Sequence, residues 1–318
     1  MAKFIFSNVI GSFVFDEKYA LFDEVLFKDI GQYNDKKAYE GKLMRKHGNL
    51  AIPEGNDLYS ILMFFKDKKY FAQLYKGNIE LTRQSIRNSV STDLLIIQTI
   101  SCMEEADKTI NLLAKRLREW YYLYSPEISN KIESHERFAS EITKKTKKEL
   151  LKELNVDEKD VMGAELKDKD VSAMLLLASQ INSLCNLKKG YEDYLKELEK
   201  EACPNFMEVA GATIAAKLLA HAGSLKRLVE MPASTIQILG AEKALFRHMK
   251  NKKRNLPPKY GILHEHRLIQ KSREEMHGKA ARTLADKLSI AVKIDYFKGK
   301  FIGDTLKKGL VEKFNIDY

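Results

Sequence analysis

Thr92–Tyr124 reads TDLLIIQTISCMEEADKTINLLAKRLREWYYLY, and its spacing decides the fold class. Apolar or small residues fall at Ile96, Thr99, Met103, Ala106, Ile110, Leu113, Leu117, Trp120 and Tyr124. The steps alternate three and four without a slip, which is the seam of a coiled coil. The helix should stop near Ser125-Pro126, because proline disfavours helix in the residue before it. A second seam lies in Val171–Ala202, at Ile181, Leu184, Lys188, Tyr191, Leu195, Leu198 and Ala202. Two long seams joined by a reversal predict an antiparallel helical pair. A pair so thin is expected to bury its remaining apolar surface against a second copy.

Working outward, Ser129–Asp170 is rich in Lys, Glu and Asp and poor in large apolar residues. It reads as helices with a solvated exterior inserted at the far tip of the rod. Upstream, Lys3–Ser7 and Ser12–Phe15 are β-rich around a turn in Asn8–Gly11, which predicts a hairpin. Lys69–Leu74 reads as another β run, and Ile52–Asp57 as a loop. Residues 1–90 are therefore expected to form a small α/β domain, and 91–205 the coiled coil.

Residues 206–318 read as mostly helical. Met207–His221 is small and apolar, which permits close helix packing. Ser224 can N-cap a helix Leu225–Glu230, which Met231-Pro232 ends. Ser234 with Gln237 fits a capping box. Ala241–Lys250 forms a further helix, Asn251–Gly261 a basic, proline-bearing loop, and 272–297 one or two amphipathic helices. The fold class is thus mainly α: a small α/β N-terminal domain, a long antiparallel coiled coil and an all-helical C-terminal domain.

Charge is uneven along the chain. Of 54 basic and 44 acidic residues, 1–90 hold 14 and 11, 91–205 hold 18 and 22, and 206–318 hold 22 and 11. The surplus of +10 therefore resides in the last third, as expected if that part alone meets phosphates. A plain solvated basic surface is the competing reading. Cys102, Cys185 and Cys203 are scattered, with no CxxC pair, so neither zinc site nor disulfide framework is indicated. The start has neither a cleavage site nor an 18-residue apolar span, so no signal peptide or membrane helix is expected.

The stretch Ala210–Arg247, AGATIAAKLLAHAGSLKRLVEMPASTIQILGAEKALFR, resembles the signature of the Nop-domain family. His221–Leu225, Pro232–Gln237 and Gly240–Arg247 carry the likeness. Pro258–Gly261 and Lys279–Arg282 follow in order, and Arg116–Tyr121 with Pro126-Glu127 precedes them. The likeness is strong over 91–124 and 171–298, and weaker over 1–90. Family members are non-catalytic scaffolds of the box C/D guide ribonucleoprotein that 2′-O-methylates ribosomal RNA. The resemblance implies that the N-terminal domain docks fibrillarin and that the coiled coil forms a homodimer. It implies that the C-terminal Nop domain clamps box C/D guide RNA together with a ribosomal-L7-like kink-turn protein. S-adenosylmethionine would belong to fibrillarin, leaving this chain without a cofactor. The chain ends at Tyr318 without the Lys/Glu-rich tail of many nucleolar members, which points to the archaeal, cytoplasmic type. A spliceosomal-type or general structured-RNA-binding relative without a methyltransferase is the alternative.

The RNA contacts expected from this likeness are Gly240, Ala241, Lys243, Arg247, Lys259, Arg282 and Lys293. Lys243 and Arg247 are four apart and share a helix face. Arg282 and Lys293, eleven apart, also share one. Gly240 and Ala241 stand at a helix start, where backbone amides are free for phosphate. Each has an alternative: Lys243 and Arg247 as solvated charges, Gly240 and Gly261 as turn residues, Glu242 as a structural cap. His264-Glu265-His266 lacks further ligands for a metal. No P-loop, GxGxxG or nucleophile elbow is present, so no catalytic residue is assigned.

Overall fold

The computed structural model describes residues 2–316, which fall into two compact units, Met1–Ser91 and Thr92–Tyr318. In the first unit, β1 (Ala2–Asn8), β2 (Gly11–Asp16) and β3 (Leu21–Leu26) form an antiparallel sheet in that order. Four helices follow: α1 (Ile30–Asn34), α2 (Lys36–His47), α3 (Gly55–Phe64) and α4 (Lys68–Asn88).

Both faces of β2 are covered, and the alternation of the strand sorts its residues between them. Phe13 and Phe15 pack with Phe4, Ile61, Phe65 and Tyr70. Val14 packs on the other side with Ile5, Leu43 and Leu50. The expected β run Lys69–Leu74 is instead the start of α4. Asp67 caps it by accepting from the Lys69 amide. Tyr70, Leu74 and Leu81 then fall on one face, packed on the aromatic core, which is helical spacing and not alternation. The third strand, β3, carries Asp23 and Glu24 among its apolar residues, which hid it. The supposed loop at 52–57 is cut short by α3, which begins at Gly55.

The second unit opens with α5 (Thr92–Tyr122). Next come α6 (Pro126–Lys131), α7 (His135–Lys144), α8 (Lys147–Glu153) and α9 (Asp168–Ala202). Pro126 begins α6 at its first position, where a missing N–H costs nothing. The pair α5/α9 is antiparallel. Ile96 and Ile100 of α5 share a core with Leu195 and Leu198 of α9. Ile110, Ala114 and Leu117 share another with Met174, Ala178 and Ile181.

The α5 seam follows the predicted positions to Ile110; beyond it Leu117 stays in the seam, while Ala114 and Tyr121 replace Leu113 and Trp120. Two successive steps of four, 106–110–114, take up the mismatch between 3.6 and 3.5 residues per turn. Trp120 is consequently 38% exposed. Lys188 of the α9 seam lies at its edge, 2.7 Å from Asp107 of α5.

The segment 129–170 is not merely a solvated exterior. Ile132, Phe138, Ala139, Ile142, Leu150 and Leu151 are buried and join the core at that end of the rod. Its few apolar residues suffice because Phe138, Ala139 and Ile142 lie on one stripe of α7, which packs on α9. Arg118 of α5 fastens the turn before α7. Its guanidinium donates to the carbonyls of Ser129, Ile132 and Glu133, and lies 4.6 Å from the centre of the Phe138 ring.

The chain continues as α10 (Pro204–Ala210), α11 (Ala212–Ala222), α12 (Leu225–Glu230), α13 (Ala233–Ile238) and α14 (Glu242–Lys250). It ends with α15 (Arg267–Lys271), α16 (His277–Tyr296) and α17 (Gly303–Phe314). Gly211, at φ 76°, breaks the small apolar run into α10 and α11. Ser224 caps α12 as expected, accepting from the Arg227 amide at 3.2 Å. The capping box at Ser234 is absent: α13 starts two residues earlier, at Ala233 behind Pro232, and Gln237 is used elsewhere. The mostly alanine and leucine face of α16 (Ala280, Ala281, Leu284, Ala285, Leu288, Ala291) forms the centre of this region. Among the described residues no helix is long and apolar enough to cross a membrane.

Candidate nucleic-acid interface

The turn before α14 is built from two chain segments lying side by side. The Gly261 amide donates to the Gln237 carbonyl at 3.0 Å, and the Ile262 amide to the Leu239 carbonyl at 2.8 Å. Gln237 extends this pairing by donating from its side chain to the Lys259 carbonyl at 2.7 Å. Gly240 sits in the left-handed region at φ 88°. A Cβ there would meet Ile262 Cγ1 at 2.6 Å, so this glycine is required by packing and turn geometry.

Glu242 accepts from the Gly240 amide at 2.7 Å. Its partial burial would raise the carboxyl pKa. The backbone amides of Gly240 and Glu242 outweigh that and hold it below the usual range. Glu242 is therefore a structural cap.

These contacts bring most of the expected residues together. Gly240, Ala241 and Lys243 stand at the turn, with Arg247 one helical turn on; the expected free amides are absent, because the Gly240 amide donates to Glu242 and the Ala241 amide to the Ile238 carbonyl. Lys259 is tied to the same turn through Gln237 and rests its stem near Gly278 at the start of α16. Arg282 follows Gly278 by one turn on that helix. Lys293 is eleven residues beyond Arg282, about 16 Å along the axis, and stands apart from the cluster. Lys243, Arg247, Lys259, Arg282 and Lys293 are all exposed. Among the described residues none of these five forms an ion pair. Lys217 and Lys307, by contrast, are engaged with Glu265 and Glu208.

The helix α14 has no buried residue. Lys243, Arg247 and Lys250 occupy one side. Phe246 and Met249, 65% and 60% exposed, occupy another, and Leu256 in the following loop is 90% exposed. Sequence reasoning named the cations and missed these apolar neighbours. Their signal was an amphipathic pattern, EKALFRHMK, with two kinds of surface and no core partner. An exposed arc that is half cationic and half apolar suits a ligand with both phosphates and apolar surface.

The two histidines of 264–266 serve different ends. His264 stacks on Tyr260 at 4.8 Å, whereas His266 is buried between the Val209 carbonyl and the Leu268 amide. Burial lowers the His266 pKa to about 4, so it is neutral at physiological pH. Among the described residues no group of three or more His, Cys, Asp or Glu is placed to hold a metal ion.

Residues 102–315 match the domain described as Nop, snoRNA binding domain, fibrillarin. A NOP5 family protein of Methanocaldococcus jannaschii is 40% identical, over 82% of this chain and 66% of the relative. Nucleolar protein 56 of Schizosaccharomyces pombe is 34% identical, over 79% of this chain and 56% of its own. This chain thus spans between about half and two-thirds of these relatives' lengths. A crystal structure of a fibrillarin/Nop5p complex contains a chain 23% identical, matched over 98% of both chains with a TM-score of 0.44. From the domain match and the 40% identity, this chain belongs to the Nop family.

Proposed function

We propose that this chain is the non-catalytic scaffold of an archaeal-type, cytoplasmic box C/D guide ribonucleoprotein. Its exposed helix α14 and the neighbouring loop take up guide RNA together with a small kink-turn protein. The observation that carries this reading is the composite arc of α14: Lys243 and Arg247 beside Phe246 and Met249, with none of them buried. The cations suit a bent phosphate backbone, and the apolar pair suits a protein already seated on it. Gly240 and Ala241 set the turn, while Lys259 and Arg282 widen the basic surface. Lys293 would meet a separate stretch of backbone.

The N-terminal unit docks fibrillarin, which brings S-adenosylmethionine and the catalytic groups. The rod pairs two copies through apolar surface left exposed in the single chain, such as Leu176 and Leu187 of α9.

The test is reconstitution of site-specific RNA methylation from this chain, fibrillarin, the kink-turn protein and a guide RNA, with each left out in turn. Methylation should need all four. Methyl transfer by this chain alone, or full activity in its absence, would refute the scaffold role.

A further inference from the structure

The two sides of α4 are built differently. Tyr70, Leu74 and Leu81 pin the helix to the aromatic core. The opposite side leaves Phe71 and Tyr75 more than half exposed, with their rings 6.5 Å apart and tilted by only 18°. Two grooves run along this side. One, of about 350 Å³, is walled by Phe71, Leu74, Tyr75 and Ile79. The other, of about 830 Å³, is lined by Lys76, Arg83 and Arg87 among others. Tyr75, Ile79 and Arg83 border both.

The three cations lie on one flank of the helix and span eleven residues, about 16 Å. Of the acids lining the larger groove, Asp29 caps α1 by accepting from the Gln32 amide at 3.0 Å, which leaves Glu80.

We propose that α4 carries a binding site for single-stranded RNA, separate from the C-terminal surface. Bases lie against Phe71 and Tyr75, and the strand's phosphates follow Lys76, Arg83 and Arg87. A flat aromatic platform beside a line of cations that outnumber the remaining acid is what a single strand needs, because every base has a π-face and every nucleotide a charge. The shared wall of the two grooves puts bases and phosphates on opposite sides of Tyr75. A protein occupant would need a row of acidic groups beside its apolar contact to match both grooves.

The experiment is fluorescence anisotropy of a labelled oligouridylate with the full chain across a salt series, joined to ultraviolet cross-linking with peptide mapping. Cross-links should appear at Phe71 or Tyr75. The double variant Phe71→Ala/Tyr75→Ala should bind at least roughly 30-fold more weakly, two stacked bases' worth. Arg83→Glu/Arg87→Glu should also weaken binding and should reduce the salt slope by about 1.4, two phosphates' worth for a single strand. These side chains make no core contact, so the thermal melts of the variants should match the parent chain. Cross-links confined to residues 206–316 with unchanged affinity in both variants would overturn the proposal. So would loss of fibrillarin binding in the variants with oligouridylate binding intact, which would make the face a protein-docking surface.

Discussion

Ile262 stands so close to Gly240 that a Cβ at position 240 would lie 2.6 Å from its Cγ1. The same glycine holds φ at 88°. Gly240→Ala therefore meets both a clash and a strained backbone, and should cost about 1–3 kcal/mol of stability. Chemical denaturation would measure it. If the variant were as stable as the parent but failed to bind RNA, the glycine would serve ligand approach and not packing.

Glu199 in α9 is fully buried, and among the described residues neither carboxyl oxygen has a hydrogen-bond partner. Burial pushes its pKa from 4.5 up to about 9. The folded chain then keeps a proton that the unfolded chain releases above pH 4.5. The group therefore erodes stability as pH rises from about 4.5 to about 9. Glu199→Leu should be more stable than the parent, with the gain growing between pH 5 and pH 9. Denaturation midpoints at several pH values would show it; a pH-independent difference would mean that the carboxyl is ionised in place.

The shift of the α5 seam separates two adjacent aromatics. Tyr121 is 3% exposed and Trp120 38%. Tyr121→Ala should cost about 3 kcal/mol, in line with other buried aromatic truncations. Trp120→Ala should cost under about 1 kcal/mol in the single chain. Equal losses would restore the unbroken heptad register. By the same logic Lys188–Asp107, a partly exposed pair, should contribute under about 1 kcal/mol in a double-mutant cycle.

What the sequence disclosed followed from local rules. The β1–β2 hairpin, the stop at Ser125-Pro126 and the Ser224 cap each depend on a few neighbouring residues. The misreadings depended on distant ones. Lys69–Leu74 has strand-like composition, but Asp67 and the waiting aromatic core make it helical. The 129–170 segment looked solvated because charges outnumber its apolar residues, and only the folded rod shows where Phe138 and Ile142 go. In the candidate interface the cations were legible as residue types. The exposure of Phe246, Met249 and Leu256 was not, because an apolar residue on an amphipathic helix normally implies a core that α14 lacks.

In the proposed function α14 and its surroundings hold a protein-loaded guide RNA. The direct measurement is the affinity of the full chain for a kink-turn guide RNA pre-bound by its kink-turn protein, across a salt series. Lys243→Ala/Arg247→Ala should bind more weakly and lower the logarithmic salt slope by between about 1.4 and 1.8. An affinity and slope equal to those of the parent chain would contradict the account.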